Sequence, residues 1–440
     1  MKKGMGIVGI LLACVVISWV MLGSGAGQET TASPADAAAA SVAIVDDYTA
    51  TSTEDRPWYY TRIGTDRGPT GEGEFNVEIG GGTAAVTVTD GWAGVWTSLL
   101  HGGMTEDALP PTQLLGPYVK DEYQPRITGI EIDLVDGTGT FKIDLIGADG
   151  QALESHEFTL EGGERTVEMA VTTDAAIKAL NWLVQGSGSA AVDQVRLVLE
   201  QPDYASMAER AFLYSYGHLS QCYDEPSGLV RDRARWPAEA FANVPATGMY
   251  ALATVVASDL GYVDASVAED IVESTKSAIL SLPRSHGLLP HFVTEGDITE
   301  GTHWSSLDSA IALIAEMLAC QALGVDTSDL ESTMRGIDWV DLTDSGSHSI
   351  GLGYDDTGEK LEGTWGTFGS EAFLVALAYC ASTGSSDIML DANPDPPTSE
   401  GSGFSDELAA LFLPMDSTDR WGNDWQAYRA EAAQNQIGFF

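Results

Sequence analysis

Two different hydrophobic repeats divide the chain. From about residue 56 to residue 203, apolar residues alternate with polar ones, as they do in strands with one buried face. The alternating sets are Phe75, Val77 and Ile79; Ile130, Ile132 and Leu134; Phe141, Ile143 and Leu145; and Val195, Leu197 and Leu199. Asp136-Gly137 and Asp149-Gly150 are typical of turns between strands. The pattern predicts an antiparallel β-sandwich over residues 56–203.

The repeat becomes helical after Pro202. In the segment 305–323, for example, Leu307, Ile311, Ile314 and Leu318 follow one another at spacings of four, three and four, which places them on one helix face. The predicted helices are 204–221, 238–260, 264–282, 305–323, 366–383 and about 423–435. The sequence therefore predicts a multidomain α and β protein in which residues 204–440 form a helical domain.

The N-terminus is typical of an exported protein. Lys2 and Lys3 precede an uncharged, mostly apolar run from Met5 to Leu22, and small residues follow at 23–27. Residues 1–27 are therefore a signal peptide or an N-terminal membrane anchor. Both alternatives predict an extracellular or cell-surface protein that meets the membrane only through this segment. Residues 28–55, rich in Ala, Thr, Ser and Asp, are expected to form a flexible linker.

The charge narrows the range of partners. Asp and Glu number 65 against 21 Lys and Arg, which gives a net charge of −44. Such a chain lacks the basic surface that nucleic-acid binding or docking on an anionic membrane requires. Acid-rich, lysine-poor surfaces suit salty media, where screening weakens self-repulsion, so a halophilic source is expected. The oligomeric state stays open.

The cysteine pattern indicates neither disulfides nor a metal. Beyond the N-terminal segment only Cys222, Cys320 and Cys380 remain, too few and too widely spaced for a disulfide framework. There is no Cys-x-x-Cys or His-rich spacing of the kind that zinc sites use. No metal and no organic cofactor is predicted.

The loops between the predicted helices combine carboxylates, aromatic residues and glycines. Aromatic rings can bind the apolar faces of sugar rings, and a pair of carboxylates can act as acid and base on a glycosidic bond. These residue types are distributed over seven segments, in chain order 228–233, 245–250, 286–292, 304–310, 337–341, 351–356 and 365–371. It predicts a protein that binds a polysaccharide or an oligosaccharide.

The order of these segments resembles the glycoamylase-like family of (α/α)6-toroid proteins, which includes the endo-β-1,2-glucanases. The family motifs are a Gly-Leu-x-x-Asp-Arg loop, an Ala-Thr-Gly helix start, a Gly-x-x-x-His-Phe loop, a Ser-Thr-x-Asp-Thr-Ala helix start, an Asp-Trp segment, a Gly-Tyr segment and a Tyr-Asp-Glu helix start. The resemblance covers about residues 205–430. It implies an α/α-toroid fold and hydrolysis of a β-glucan or a related polysaccharide.

Three departures from the family pattern leave catalysis open. His303 stands where the family often has a glutamate, and the Tyr-Asp-Glu triplet is replaced by the segment that ends at Glu371. Residues 204–440 also hold fewer helices than the twelve of a complete toroid. Either the toroid is incomplete or the sequence is truncated at its C-terminus.

Three carboxylates are the predicted catalytic residues, each with a structural alternative. Asp232 lies between Arg231 and Arg233 and could instead pair with an arginine. Asp308 lies in the first turn of a helix, where an acid also caps amides and where the helix dipole favours the ionised form. Glu371 also begins a helix, but neighbouring aromatic residues could exclude water and raise its pKa, as an acid catalyst requires.

The predicted substrate-binding residues are aromatic, histidine or arginine side chains next to these carboxylates. For each tryptophan and histidine, a structural role in the core is the alternative. The set is Arg233, Trp236, His291, His303, Trp304, Trp339, Tyr354 and Trp365. In the strand region, Trp92 and Trp96 have a spacing of four and are either core residues or residues of a loop that contacts a glycan.

Three functions fit these observations. The first is an exported glycoside hydrolase acting on a β-glucan or related polysaccharide. The second is a non-catalytic glycan-binding protein with a degenerate toroid, and the third is a structural component of the cell envelope. The glycosidic linkage is not specified by the sequence.

Overall fold

A computed structural model describes residues 41–49, 67–99, 108–232, 241–294, 297–299, 301–344, 349–365, 371–385, 394–398, 404–413, 415–419 and 421–439. The predicted signal peptide or anchor at 1–27 lies outside these residues. So do Arg233 and Trp236.

The N-terminal part is built from seven antiparallel strands in one hydrogen-bonded network. They are β1 (Ser41–Asp46), β2 (Arg67–Gly80), β3 (Thr83–Ser98), β4 (Arg126–Gly147), β5 (Ala152–Glu161), β6 (Arg165–Ala170) and β7 (Ile177–Glu200). The long strands β4 and β7 pair along their length, and the main order is β2-β3-β7-β4-β5. Strand β1 adds to the second half of β7, and β6 adds to the first half of β4. The predicted antiparallel β architecture is confirmed.

The alternation of buried residues changes phase within the long strands. In β4, Ile130 and Ile132 are buried, and after three register shifts in the pairing with β7 the buried residues are Phe141 and Ile143. One extra residue at a bulge reverses the alternation along a strand. The even-numbered residues before the irregular region and the odd-numbered residues after it can therefore line the same core.

The Asp136-Gly137 pair, predicted to be a turn, lies at this irregularity inside β4. The Asp136 side chain accepts hydrogen bonds from the amides of Gly137 and of Gly163, at 2.9 and 2.7 Å. The carboxylate thus connects the bulge to the turn after β5 by hydrogen bonds, and strand β4 continues through Asp136 without a turn. The Asp149-Gly150 turn is found as predicted.

The expected flexible linker 28–55 contains strand β1, which corrects that prediction. Ala43 and Val45 are 2% and 1% exposed and belong to the core of the sheet. Beyond the strand, the buried hydroxyl of Tyr48 accepts a hydrogen bond from Trp182 Nε1 at 2.8 Å. The small and polar residues nearby suggested a flexible segment, but the short alternating run around Ala43 is enough to complete the sheet edge.

Nine helices lie in the described part of the region after residue 203. They are α1 (Met207–Cys222), α2 (Val244–Asp259), α3 (Ala265–Ser281), α4 (Ser306–Leu323), α5 (Ser328–Arg335), α6 (Trp339–Leu342), α7 (Ala372–Thr383), α8 (Phe404–Leu408) and α9 (Trp425–Phe439). Six of them have twelve residues or more, half of what a complete (α/α)6 toroid contains. The helical C-terminal part is confirmed, whereas the described residues do not form a complete toroid.

Short strands connect these helices at the end where α2 and α4 begin. They are β8 (Tyr223–Asp224), β9 (Leu229–Val230), β10 (Phe241–Asn243), β11 (Phe292–Thr294), β12 (Asp297–Ile298), β13 (Trp304–Ser305), β14 (Thr343–Asp344), β15 (Ser349–Gly351), β16 (Gly353–Tyr354) and β17 (Thr364–Trp365). Strand β10 leads directly into α2 and pairs with β11, while β13 leads directly into α4 and pairs with β16. The pairings fix where both helices start.

Helix α4 is the central helix of this core. It alone among the described helices is both long and apolar enough to cross a membrane, but 72% of it is buried inside the protein. Such burial is typical of a core helix rather than a membrane span.

The segment 108–125 connects the sheet with the helices. Leu109 exchanges two backbone hydrogen bonds with Ile177, both 2.8 Å long. Farther along, the Leu114 carbonyl accepts from Gln221 Nε2 at 2.7 Å. The neighbouring side chains of Leu114 and Leu115 belong to two different cores, that of the sheet and that around α1.

Candidate functional site

The first turn of α4 is the structural base of the site. Ser305 precedes the helix in an extended conformation, and its hydroxyl accepts from the Asp308 amide at 3.1 Å. This is an N-cap, so the serine, and not Asp308, satisfies the helix end. The Asp308 side chain, on a residue that is only 7% exposed, is therefore available for other contacts.

Asp308 is bonded to a histidine. His291 Nδ1 lies 2.5 Å from Asp308 Oδ2, a short hydrogen bond. The His303 ring stacks on the His291 ring at a centroid distance of 4.9 Å and an angle of 11°. The backbone holds both histidines in place, since the His291 amide donates to the His303 carbonyl at 2.9 Å. Burial and the neighbouring His291 lower the pKa of His303, while the negative charge of Asp308 acts in the opposite direction. The net shift is downward and favours the neutral ring.

Glu371 is electrostatically coupled to Asp308. It immediately precedes α7, and its side chain makes no capping hydrogen bond to that helix. Burial raises the pKa of Glu371, and the negative charges of Asp308 and Asp406 raise it further, while a hydrogen bond with Ser405 acts in the opposite direction. The result is one carboxyl group with a raised pKa near a second carboxylate that a histidine binds. Acid and base pairs in enzymes require such a difference.

Asp232 lies on the adjoining strand connection. Its Oδ1 accepts from Asn243 Nδ2 at 2.9 Å, and its amide donates to the Phe241 carbonyl at 3.2 Å. Asn243 also caps α2 through the Ala246 amide at 2.9 Å. Since Asn243 is paired in register with Phe292, next to His291, Asp232 lies at the same end of the helices as the Asp308 pair. The arginine beside it in sequence, Arg231, pairs with Asp224 at 3.3 Å.

The aromatic residues predicted to bind substrate fall into two groups. Trp304, Trp339 and Tyr354 are 7%, 4% and 2% exposed and belong to the core of the helical part. Trp339 Nε1 donates to the Met334 carbonyl at 3.2 Å. Contrary to the prediction for these three residues, sugar rings cannot stack on side chains that the core encloses.

Trp365 differs from the three buried aromatic residues. It is half-buried, and its Nε1 donates at 2.9 Å to the hydroxyl of Ser306, two residues before Asp308. The indole is thus fixed beside the first turn of α4. Of the predicted tryptophans and tyrosine that the structure describes, it is the one that remains suited to contact a ligand next to the carboxylates.

His291, His303 and Asp308 are also the described residues that come closest to a metal site. One ligand atom from each lies within 4.8 Å of the others. Two atoms bound to the same zinc ion, each about 2.0–2.2 Å from it in a tetrahedral arrangement, would be more than about 3 Å apart. The 2.5 Å between His291 Nδ1 and Asp308 Oδ2 is the length of a short hydrogen bond, so these two atoms do not both face one ion in this arrangement.

Several residues of the site were not apparent from the sequence. Asn243, Ser305, Ser306 and Ser405 orient the predicted residues by hydrogen bonds. Ser305 and Asn243 carried a usable signal. A serine three residues before an acid and ahead of an apolar run is typical of an N-cap, and so is an asparagine followed by a proline in the first turn.

No protein-family model matches the chain. No curated protein sequence matches it.

Solved structures give distant similarities only. A family 29 carbohydrate-binding module complexed with mannohexaose is 11% identical, with 36% of this chain and 92% of the module covered and a TM-score of 0.24. A low-affinity xylan-binding module from Roseburia intestinalis is also 11% identical, with coverages of 30% and 96% and a TM-score of 0.21. A candidate glucoamylase from Bacteroides fragilis is 14% identical over 38% of this chain and 44% of its own, with a TM-score of 0.31. At these TM-scores the similarities do not establish a shared fold.

Proposed function

We propose that this is an exported glycoside hydrolase acting on a β-glucan or a related polysaccharide through carboxylate acid and base catalysis. The observation that carries the proposal is the coupled pair Glu371 and Asp308. Burial and the Asp308 charge raise the pKa of Glu371, and His291 bonds the Asp308 carboxylate. Hydrolysis of a glycosidic bond requires one protonated and one ionised carboxyl group on either side of it.

The chemistry assigns a role to each group. Glu371 donates its proton to the oxygen of the scissile bond as that oxygen leaves the sugar. Asp308, held by His291, accepts a proton from the water whose oxygen bonds to the anomeric carbon. Asp232 binds a sugar hydroxyl, and Trp365 provides an apolar surface for a ring. An inverting reaction of this kind needs about 6.5–9.5 Å between the acid and the base.

The test measures reducing ends released by the full chain from a panel of β-glucans in molar salt. The variants Glu371→Gln, Asp308→Asn and Asp232→Asn are compared with the wild type. General acid or base catalysis contributes roughly 10²–10⁴-fold, so the first two variants should lose at least about 100-fold in kcat. Asp232→Asn should mainly raise KM.

Glu269→Gln is the matched control, because Glu269 is exposed on α3 and away from the site. It should retain wild-type activity. Equal product release by all four variants and the wild type would remove the proposed site, and no release by any protein, including the wild type, would remove hydrolysis.

A non-catalytic glycan-binding or cell-envelope protein is the second candidate. It is favoured by the six long helices among the described residues, against twelve in a complete toroid. It predicts saccharide affinity without turnover, or self-association in molar salt without saccharide affinity. Calorimetry with oligosaccharides and sedimentation separate these two outcomes.

A further inference from the structure

Two tryptophans lie on the outer face of strand β3. Trp92 and Trp96 alternate with Ala93 and Val95, which are both fully buried in the core. Because side chains alternate across a strand, both indoles lie on the face that points away from this core, and both are half-buried. Four residues along a strand correspond to about 13 Å, which places the two indoles under different rings of one extended chain.

Polar side chains flank the indoles on the neighbouring strand β7. Gln185 is directly opposite Trp92, and Asn181 is directly opposite Trp96. One strand farther, Asp144 is opposite Asn181. Its carboxylate binds Lys142 Nζ at 2.9 Å. The side-chain amides of Asn181 and Gln185 contain both donors and acceptors, as sugar hydroxyls require.

Glycines shape this surface, which we call the tryptophan face (Trp92, Trp96, Asn181 and Gln185). A Cβ on Gly68, which is opposite Trp96, would come within 3.0–3.2 Å of the Trp96 indole. The indole therefore lies directly over the glycine backbone, which holds it close to the sheet. Gly94, between the two tryptophans, carries no side chain that would separate them. A ligand that stacks on the Trp96 indole thus costs little side-chain entropy.

We propose that the tryptophan face binds an uncharged polysaccharide chain at a site separate from the proposed catalytic carboxylates. The indoles bind the apolar faces of two sugar rings, and the amides of Asn181 and Gln185 bind the hydroxyls between them. The net charge of −44 disfavours an anionic polymer on the same surface. The inference does not depend on hydrolysis, since binding requires neither Glu371 nor Asp308.

Affinity electrophoresis of the full chain tests the proposal. The gels contain soluble neutral polysaccharides (β-glucans, xylan and mannan) or, for comparison, an anionic one. Retardation by at least one neutral polymer is expected. Trp92→Ala and Trp96→Ala should each weaken it by about tenfold or more, because central aromatic residues dominate such interfaces. Gly68→Val, which displaces the Trp96 indole, should weaken it as well.

Trp421→Ala is the control, because Trp421 is also exposed, at 40%, but lies in the helical part. It should migrate like the wild type. Far-ultraviolet circular dichroism, which reports the backbone, and, where hydrolysis is found, the rate on short oligosaccharides show that the sheet variants are folded, and both should be unchanged. Retardation that survives both tryptophan substitutions, retardation by the anionic polymer alone, or none at all overturns the proposal. Failure of hydrolysis with retained, tryptophan-dependent binding overturns only the catalytic function.

Discussion

A buried glutamate in α4 should make the protein less stable as the pH rises. Glu316 is fully buried. Its Oε1 accepts from Thr275 Oγ1 at 3.3 Å and contacts Cys320 Sγ at 3.7 Å. The other oxygen, Oε2, has no hydrogen-bond partner within the described structure. Burial raises the pKa of Glu316 to about 8, although Thr275, Cys320 and Lys276 act in the opposite direction.

The sign follows from the difference between the folded and the unfolded chain. The pKa of Glu316 is about 8 in the folded chain, whereas that of an unperturbed glutamate is 4.5, so between these pH values the folded state binds a proton that the unfolded state releases. The stability that this proton contributes is fully present below pH ~4.5 and is lost as the pH rises to about 8. At about 1.4 kcal/mol per pH unit, the loss is about 3 kcal/mol at pH ~7 and about 5 kcal/mol above pH ~8.

The variant Glu316→Gln removes this titration and keeps a similar shape. Its free energy of unfolding should exceed that of the wild type by up to about 3 kcal/mol at pH ~7, and its pH dependence above pH ~5 should be flatter. Urea unfolding at constant molar salt, followed by tryptophan fluorescence, gives both quantities. Glu269→Gln, on the exposed face of α3, controls for the loss of one negative charge.

Parallel curves for the wild type and Glu316→Gln would refute the reasoning. They would show that the carboxyl group has the same proton affinity in the folded and the unfolded chain. A wild type that gains stability between about pH 5 and 8 relative to the variant would contradict the sign itself.

Three further predictions concern the proposed site. The hydrolysis rate should fall as the pH rises through the raised pKa of Glu371, and this alkaline limb should be absent from residual activity in Glu371→Gln; an identical limb in both would contradict the acid assignment. His291→Phe should lower kcat roughly tenfold or more, with a smaller change in KM, since Asp308 loses its hydrogen bond; a purely structural His291 would instead change stability with kcat intact. Ser305→Ala should cost about 1 kcal/mol in urea unfolding, and Ser305→Asp should cost less, because both Ser and Asp cap helices.

The local patterns predicted the regular elements well. The helix expected at 305–323 is observed at Ser306–Leu323, and that expected at 264–282 at Ala265–Ser281. Both carry long apolar faces, which local periodicity reports directly. The two-residue alternation also located the strands, but it missed the bulge at Asp136 because a bulge and a turn use the same residues.

Pairing across the chain was beyond the sequence. His291 and Asp308 come together because the segment before β11 lies antiparallel to β13 and forms backbone hydrogen bonds with it. This contact is set by tertiary structure. Trp304 and Trp339 precede or begin helices beside loop carboxylates, just as Trp365 does in sequence. The burial of each tryptophan depends on whether its segment faces the helical core or the solvent. The sequence around a single tryptophan does not reveal which of the two it faces.

The segment 108–125 makes the two architectural halves mutually dependent. Leu114 and Leu115, adjacent in sequence, are buried in different hydrophobic clusters, and Gln221 of α1 reaches back to the Leu114 carbonyl. Unfolding of the sheet would expose Leu114, and unfolding of the helical part would expose Leu115. In either case the hydrogen bond between Gln221 and the Leu114 carbonyl would be lost. A protease cut after Pro202 would therefore leave two fragments held together, and heat should unfold the chain in one cooperative transition.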